Sequence, residues 1–384
     1  MSRRYLWMGA VLSILASAAA FAATADLHYV DSILDLTSYY HPQGIQLSSQ
    51  PIPALTEPSY HGTAMYGLVP LGGMRFPVVL DSDGGSGTLY VDVDGSGALS
   101  AASWMSHGQD GNYLASVSFR LSGEAVDERR YRAFLMWNPD TPSVLTYCRD
   151  NYESGEIDLD GAMYKIAIID ENSDGEFDDL SGGVFLIDLD RDGTILASPD
   201  SHERYRLDEA FNIGGEVYAV TRVTADGSQI EIDKSDTWVD PKPPLEVGYP
   251  APDFSLTDYE GDKIQLSSLQ GKIVLIDFWA SWCSPCRDEL ANVEAIANEY
   301  ADDGVVVLGV DIDRNEGAFA GIVSSFGLTY RQIFDGADGP VSSLYRVIGI
   351  PMTYLIDRQG IIRGKRLRGD TLRQAIDGLV GEGK

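Results

Sequence analysis

The apolar run Ile273-Val274-Leu275-Ile276 leads through Asp277 into Phe278-Trp279-Ala280-Ser281-Trp282-Cys283-Ser284-Pro285-Cys286. Residues 287–300 follow, with apolar side chains at Leu290, Val293, Ala297 and Tyr300. The first stretch reads as a strand, and the three- and four-residue spacing of the second reads as one face of a helix. This constrains the fold more than anything else in the chain, because a strand must hand two cysteines to a helix N-terminus. Unpaired N–H groups and the helix dipole stabilise a thiolate there, which lowers the pKa of Cys283. Two intervening residues keep both sulfurs within disulfide reach. Cys283 is expected to be the exposed nucleophile and Cys286 the buried resolving thiol.

Other uses of a C-x-x-C pair fit less well. A zinc site needs a second Cys/His pair, and the five histidines (28, 41, 61, 107 and 202) all lie far upstream. A c-type haem site needs His after the second cysteine, where this chain has Arg287. A purely structural disulfide remains open.

The clearest boundary is Asp240-Pro241-Lys242-Pro243-Pro244, with Pro250 and Pro252 close behind. Proline forbids helix and interrupts sheet pairing, so residues 240–247 read as a semi-rigid linker. The 384-residue chain is long enough for two domains. Before the linker, short β-branched or aromatic runs bounded by Asp/Gly clusters read as strands: Val78-Val79-Leu80, Thr88-Leu89-Tyr90-Val91, residues 164–169 and Val184-Phe185-Leu186-Ile187. Residues 216–223 and 229–232 read as a hairpin. The expectation is an acidic β-rich domain with Asp-Gly loops over 26–239. Over 248–382, strand and helix patterns alternate as in an α/β sandwich.

Charge separates the two parts. The chain carries 58 acids against 28 Lys and Arg, a net charge of −30. Residues 26–245 hold 37 acids and 13 bases, and residues 246–384 hold 21 and 13. Such an excess argues against nucleic-acid binding, which needs a basic footprint. With 44% hydrophobic residues the chain can still build cores.

Some of the acids sit in a recurring pattern, an apolar strand running into an aspartate-glycine loop. Calcium wants six to eight oxygens, and a loop with oxygen side chains at positions 1, 3 and 5, glycine at 6 and a carbonyl at 7 supplies them. The loop Asp170-Glu171-Asn172-Ser173-Asp174-Gly175-Glu176 fits through position 6, with the apolar Phe177 at position 8 to pin it to the core. Its position 12 is Ser181, and Asp178 or Asp179 is a possible substitute. The loop Asp188-Leu189-Asp190-Arg191-Asp192-Gly193-Thr194 has the same first half but no acid until Asp200, one position late. The loop from Asp92 is weaker, with Ser96 at position 5. A structural calcium ion is expected at the first two. The alternative is that Asp and Gly merely make turns between strands.

Residues 1–25 read as a secretory signal peptide. Arg3 and Arg4 precede an apolar run ending at Phe21, and Ala23-Thr24-Ala25 or Ala20-Phe21-Ala22 suits a signal peptidase. The chain is expected to be periplasmic or otherwise exported, with a membrane contact only if this segment is uncleaved. Cys148 reads as a small buried hydrophobe, or else as a thiol that exchanges with Cys283.

Residues 248–382 resemble the TlpA/ResA-type thiol–disulfide oxidoreductases of the thioredoxin-like superfamily. The resemblance is carried by the cysteine motif, Pro250-Ala251-Pro252-Asp253-Phe254, residues 266–272, Gly349-Ile350-Pro351-Met352-Thr353 and residues 354–360. It implies a C-terminal thioredoxin fold, a cis peptide bond at Pro351 beside the cysteines, and substrate pairing to the backbone of Ile350. It also implies that Glu289 and Asp277 handle the proton of the buried thiol, although a solvated helix acid is an equal reading of Glu289. Trp279, Trp282 and Pro351 are expected to frame an apolar contact surface, with core or rim packing an equal reading of Trp279. Residues 311–347 resemble the insertion typical of the TlpA type, and Asp313-Arg314-Asn315-Glu316 within it receives no role. The implied partners are protein thiols or disulfides and an upstream electron donor, with no redox cofactor beyond the cysteine pair. The rival reading is a calcium-stabilised binding module whose N-terminal domain holds the main ligand.

Overall fold

The structure, a computed structural model, describes residues 22–36, 41–104, 106–107, 112–123 and 126–382. Most of the expected signal peptide, residues 1–21, lies outside the described residues. Among the described residues no helix is long and apolar enough to cross a membrane.

Among the described residues, the region before the linker holds four antiparallel sheets sharing three apolar clusters. The hairpin Thr63–Leu71/Met74–Ser82 turns at Gly72 and Gly73, both at positive φ, as a tight two-residue turn demands. Its inward positions Val69, Leu71, Phe76, Val78 and Leu80 pack on Phe119, Tyr131 and Trp137 of the neighbouring sheet. Each fully buried side chain of this kind contributes about 1.5–3 kcal/mol.

The strand Ala162–Asp170 is apolar at four successive positions, Ile166–Ile169, and its packing explains why. Ile166 and Ile168 face one cluster with Phe185, Ile187 and Phe211. Ala167 and Ile169 face another, with Phe134, Cys148, Val184 and Leu186. A strand covered on both faces has no polar register. Cys148, in the strand Val144–Arg149, is a free buried thiol in that second cluster, and burial pushes its pKa up to about 12. A thiol so placed is a core residue.

The C-terminal region is a five-stranded sheet in the spatial order Arg331–Phe334, Val305–Asp311, Ile273–Trp279, Met352–Ile356, Ile362–Lys365. The first three strands are mutually parallel and the last two antiparallel. Helices α1 (Ser284–Glu299), α2 (Glu316–Phe326), α3 (Pro340–Leu344) and α4 (Gly369–Gly381) accompany it. Val274, Ile276 and Phe278 feed one core, while Ile273 and Leu275 pack on Val293, Ile296, Leu372 and Ile376 of α1 and α4. The central strand is therefore buried throughout.

The proline-rich segment is not a free spacer. Leu245 is buried in the C-terminal core. Lys242 donates to the Arg204 carbonyl and pairs with Glu209. The Pro243 carbonyl accepts from Arg346 at 2.7 Å. Proline removes backbone donors, so the segment is held through its carbonyls and side chains instead. Beside it, Asp200 crosses between the two regions. This buried carboxylate meets Lys365 at 2.7 Å and Arg366 at 3.4 Å, and its carbonyl accepts from Arg346.

Candidate active site

The strand Ile273–Trp279 ends where the chain turns through Ala280, Ser281 and Trp282, and Cys283 becomes the N-cap of α1. Its sulfur accepts the backbone N–H of Cys286 at 3.2 Å, doing what a capping side chain does for an orphan helix donor. Pro285 lies in the first turn, where its missing N–H costs nothing. Cys283 and Cys286 form a disulfide, with Cα atoms 5.2 Å apart.

The expected difference in exposure is absent from this oxidised form. Cys283 is 5% exposed and Cys286 2%. Both lie in a cluster with Trp279, Ala280, Leu290 and Phe319, and Ile350 packs against it. Ile350–Pro351 is a cis peptide bond, and the Pro351 carbonyl accepts from Arg368 at 2.6 Å. Trp282 stands out from this surface, 64% exposed. For Trp279 the core-packing alternative holds: it is buried, donates to Gln332 Oε1 and packs near the Phe319 ring. It falls on the inward side of a strand that is covered on both faces.

Asp277 is buried in the strand that leads to the cysteines. Loss of hydration, with Glu289 nearby adding to it, pushes its carboxyl up to about 7, against a smaller opposing pull from Arg368. Glu289 is not a freely solvated helix acid. Its Oε1 accepts from Asn292 Nδ2 at 2.6 Å and from the Gly369 N–H at 2.9 Å, which ties α1 to the start of α4.

Asp313 was passed over in the sequence. It is buried, with Oδ2 on the Ser281 N–H at 2.8 Å and Oδ1 on the Ser281 hydroxyl at 2.9 Å. The Ser281 carbonyl in turn accepts from Arg287 at 2.6 Å. The turn that delivers Cys283 is thus held at three points. Asp311 supports Asp313 by accepting its N–H at 3.0 Å, and burial pushes the Asp311 carboxyl up to about 8. A signal for both existed. Asp311 ends an apolar run, and parallel neighbours bring their C-terminal ends to one edge, where sites of α/β sheets gather. Asn315, also unassigned, caps α2 by accepting from Gly317 and Ala318.

The aspartate loops share one geometry. In each, the first aspartate accepts the N–H of the glycine at position 6: Asp170 from Gly175, Asp188 from Gly193 and Asp92 from Gly97, all at 2.8 Å. In the Asp170 loop, Asn172 accepts from Asp174 and Asp174 from Glu176, whose own side chain is exposed. In the Asp188 loop, Asp192 donates to Asp188 and Asp190, and its side chain accepts from Thr194. Asp200 takes no part, being committed to Lys365 and Arg366. Glu203 stands in its place, its carboxylate within 4.8 Å of those of Asp188 and Asp190. Nothing in the spacing marked Glu203, which reaches the loop through the chain's return toward the strand Arg204–Arg206.

Residues 247–365 match the AhpC/TSA family. Over 133 residues the chain is 31% identical to the thiol–disulfide oxidoreductase ResA of Bacillus thuringiensis, covering 35% of this chain and 76% of that protein. Over 121 residues it is 35% identical to the thioredoxin-like protein YneN of Bacillus subtilis, covering 31% of this chain and 70% of that one. Among solved structures, the thioredoxin domain of a Bacteroides vulgatus thiol–disulfide oxidoreductase aligns at 32% identity and a TM-score of 0.34, covering 35% of this chain and 99% of that one.

Proposed function

The chain belongs to the ResA/TlpA thiol–disulfide oxidoreductases, and on that premise we propose that it is an exported reductase of protein disulfides. The observation that carries the reading is Cys283, placed as the cap of α1, joined to Cys286 and packed against the cis-proline loop.

In the reduced protein, the Cys283 thiolate attacks one sulfur of a substrate disulfide. That S–S bond breaks, and the departing sulfur leaves with the electron pair as a thiolate. Cys286 then gives up its proton and attacks Cys283 Sγ, releasing the second substrate thiol. The substrate gains two electrons and the protein ends as the Cys283–Cys286 disulfide, which an upstream donor must reduce. Asp277, with a pKa of about 7, is suited to take the Cys286 proton near neutral pH. Trp282 offers the substrate an apolar contact, and the Ile350 backbone offers it polar groups to pair with.

The resemblance to the TlpA/ResA type suggests the reductase direction, and the little positive charge around Cys283 supports that reading. A strong oxidant holds its thiolate with extra positive charge or donors. Here Cys283 has one N–H donor and a helix terminus, while the neighbouring Arg287 guanidinium is turned to the Ser281 carbonyl. Export rests on Arg3, Arg4 and the apolar run behind them.

Two measurements test this on the intact protein. Cys286→Ser should accumulate mixed disulfides with insulin that dithiothreitol releases, and Cys283→Ser should accumulate none; equal trapping by both contradicts the roles. Equilibration with a thiol redox buffer should give a potential nearer to about −270 mV than to about −120 mV. A value at the upper end makes the protein an oxidant.

A further inference from the structure

We propose that the loop Asp170–Glu176 is a calcium site, with Asp170 Oδ1, Asn172 Oδ1, the Asp174 carboxylate and the Glu176 carbonyl as ligands, and that the ion locks the acidic β-rich region together.

The decisive feature is one atom. Asp170 is 1% exposed, and its two oxygens are treated differently. Oδ2 accepts from the Tyr131 hydroxyl at 2.7 Å and from the Gly175 N–H at 2.8 Å. Oδ1 is buried with no hydrogen-bond partner. Leaving a buried carboxylate oxygen unpaired is expensive, and a cation is the partner that removes the cost. The Oδ2 bond to Gly175 reaches across the loop, so the carboxylate lies within it.

The other two loops lack this feature. Asp188 has Oδ1 on the Asp192 N–H and Oδ2 on the Gly193 N–H. Asp92 has Oδ1 on the Asp94 and Ser96 N–H groups and Oδ2 on the Gly97 N–H. Both oxygens of each first aspartate are already engaged, so neither loop carries the proposal.

The remaining ligands come from the same loop. The Asp174 carboxylate accepts from the Glu176 N–H on Oδ1 and from Asn172 Nδ2 on Oδ2, and each oxygen keeps a second lone pair. Asn172 Oδ1 accepts one N–H and keeps a second lone pair. A cleft of about 420 Å³, lined by Asn172, Ser181 and Gly182 among others, gives the ion a way in. The buried Arg149 lies near enough for its charge to act on Asp170, but its side-chain hydrogen bonds, at 3.4 and 3.5 Å, go to Glu171 and leave Asp170 Oδ1 without a donor. Mixed carboxylate, amide and carbonyl oxygens in a flexible loop suit calcium better than the strict octahedron of magnesium.

The surroundings say what the ion does. The loop joins the strands Ala162–Asp170 and Gly183–Ile187. Asp174 accepts the Gly72 N–H at 2.6 Å, Tyr131 reaches Asp170 from another sheet, and Phe177 donates to Ala225 at 3.1 Å. Three further parts of the region therefore fasten to this one loop, and ordering it by a metal stabilises all of them.

The test uses the full exported chain, stripped with EDTA and titrated with calcium chloride by calorimetry, with thermal melting by circular dichroism alongside. Wild type should bind calcium and melt several degrees higher with it, and magnesium should do less. Asp170→Asn, which keeps the shape of the side chain, should lose the shift and bind roughly tenfold or more weakly. Asp188→Asn should keep the shift. If Asp170→Asn lacks a native near-ultraviolet spectrum, Asp174→Asn takes its place. The proposal is overturned by a wild type that neither binds calcium nor gains stability from it. It is equally overturned if the loop variants respond as wild type does, or if Asp188→Asn alone loses the response.

Discussion

Asp313 holds Ser281 by both ends, one carboxylate oxygen on its backbone N–H and the other on its hydroxyl. Ser281 lies two residues before Cys283, and the pair fixes the path by which the central strand delivers the cysteine. Asp313→Ala should cost about 2 kcal/mol in urea unfolding. Insulin reduction should fall about tenfold to a hundredfold, because a small displacement at a reacting atom is expensive. Asp313→Asn should recover part of the rate, since its amide can accept the N–H and donate to the hydroxyl. A wild-type rate in the alanine variant would remove Asp313 from the positioning of Cys283.

Asp277 should make stability depend on pH. Its carboxyl, raised by burial to about 7, keeps its proton longer in the folded state than in the unfolded one. The contribution is fully present below pH 4 and is lost as pH rises through 7, a total on the order of 4 kcal/mol. Asp277→Asn removes it. The stability of wild type relative to this variant should fall by about 2–3 kcal/mol between pH 5 and pH 8. Parallel urea curves with no such change contradict the shift.

Asp200 should control how firmly the two regions sit together. It is buried against Lys365 and Arg366, and stripping its charge leaves two cations without their partner. Asp200→Asn should weaken the contact by about 3 kcal/mol. Proteolytic nicking within residues 240–247 should speed up, while the isolated rate of insulin reduction stays the same. An unchanged nicking rate would show that other contacts suffice.

On the proposal that residues 1–25 direct export, the strand Ala23–Asp26 favours one of the two cleavage points. It pairs with Gln229–Ile232, and Ala25 is buried. Cleavage after Ala25 would remove three of its four residues, whereas cleavage after Ala22 keeps it whole. Mass spectrometry of the exported protein should find Ala23 at the N-terminus. A start at Asp26 would mean the first sheet forms without this edge strand.

Local information was enough for much of the C-terminal region. The apolar run, the C-x-x-C and the following helix face are all short-range signals, and the structure places them as strand, cap and α1. Hairpins marked by Asp and Gly were readable for the same reason, because turn chemistry is local. The run Ile166-Ala167-Ile168-Ile169 was readable as a strand but not as one buried on both faces, since the covering sheets come from distant sequence.

The sequence by itself determined which residues carry the chemistry: two cysteines at a helix start, and aspartates spaced to present oxygens. Tertiary structure decided which of those oxygens remain unsatisfied and what holds the cysteines. Asp170 and Asp188 begin near-identical loops, yet of the two only Asp170 keeps a buried oxygen without a partner: the Asp192 N–H reaches Asp188 Oδ1, whereas the Asp174 N–H goes to Asn172 and Tyr131, from another sheet, bonds the other oxygen of Asp170. Asp313 clamps Ser281 only because parallel pairing sets the two strand ends side by side. Burial and hydrogen-bond closure depend on what packs from afar, and no spacing along the chain encodes that.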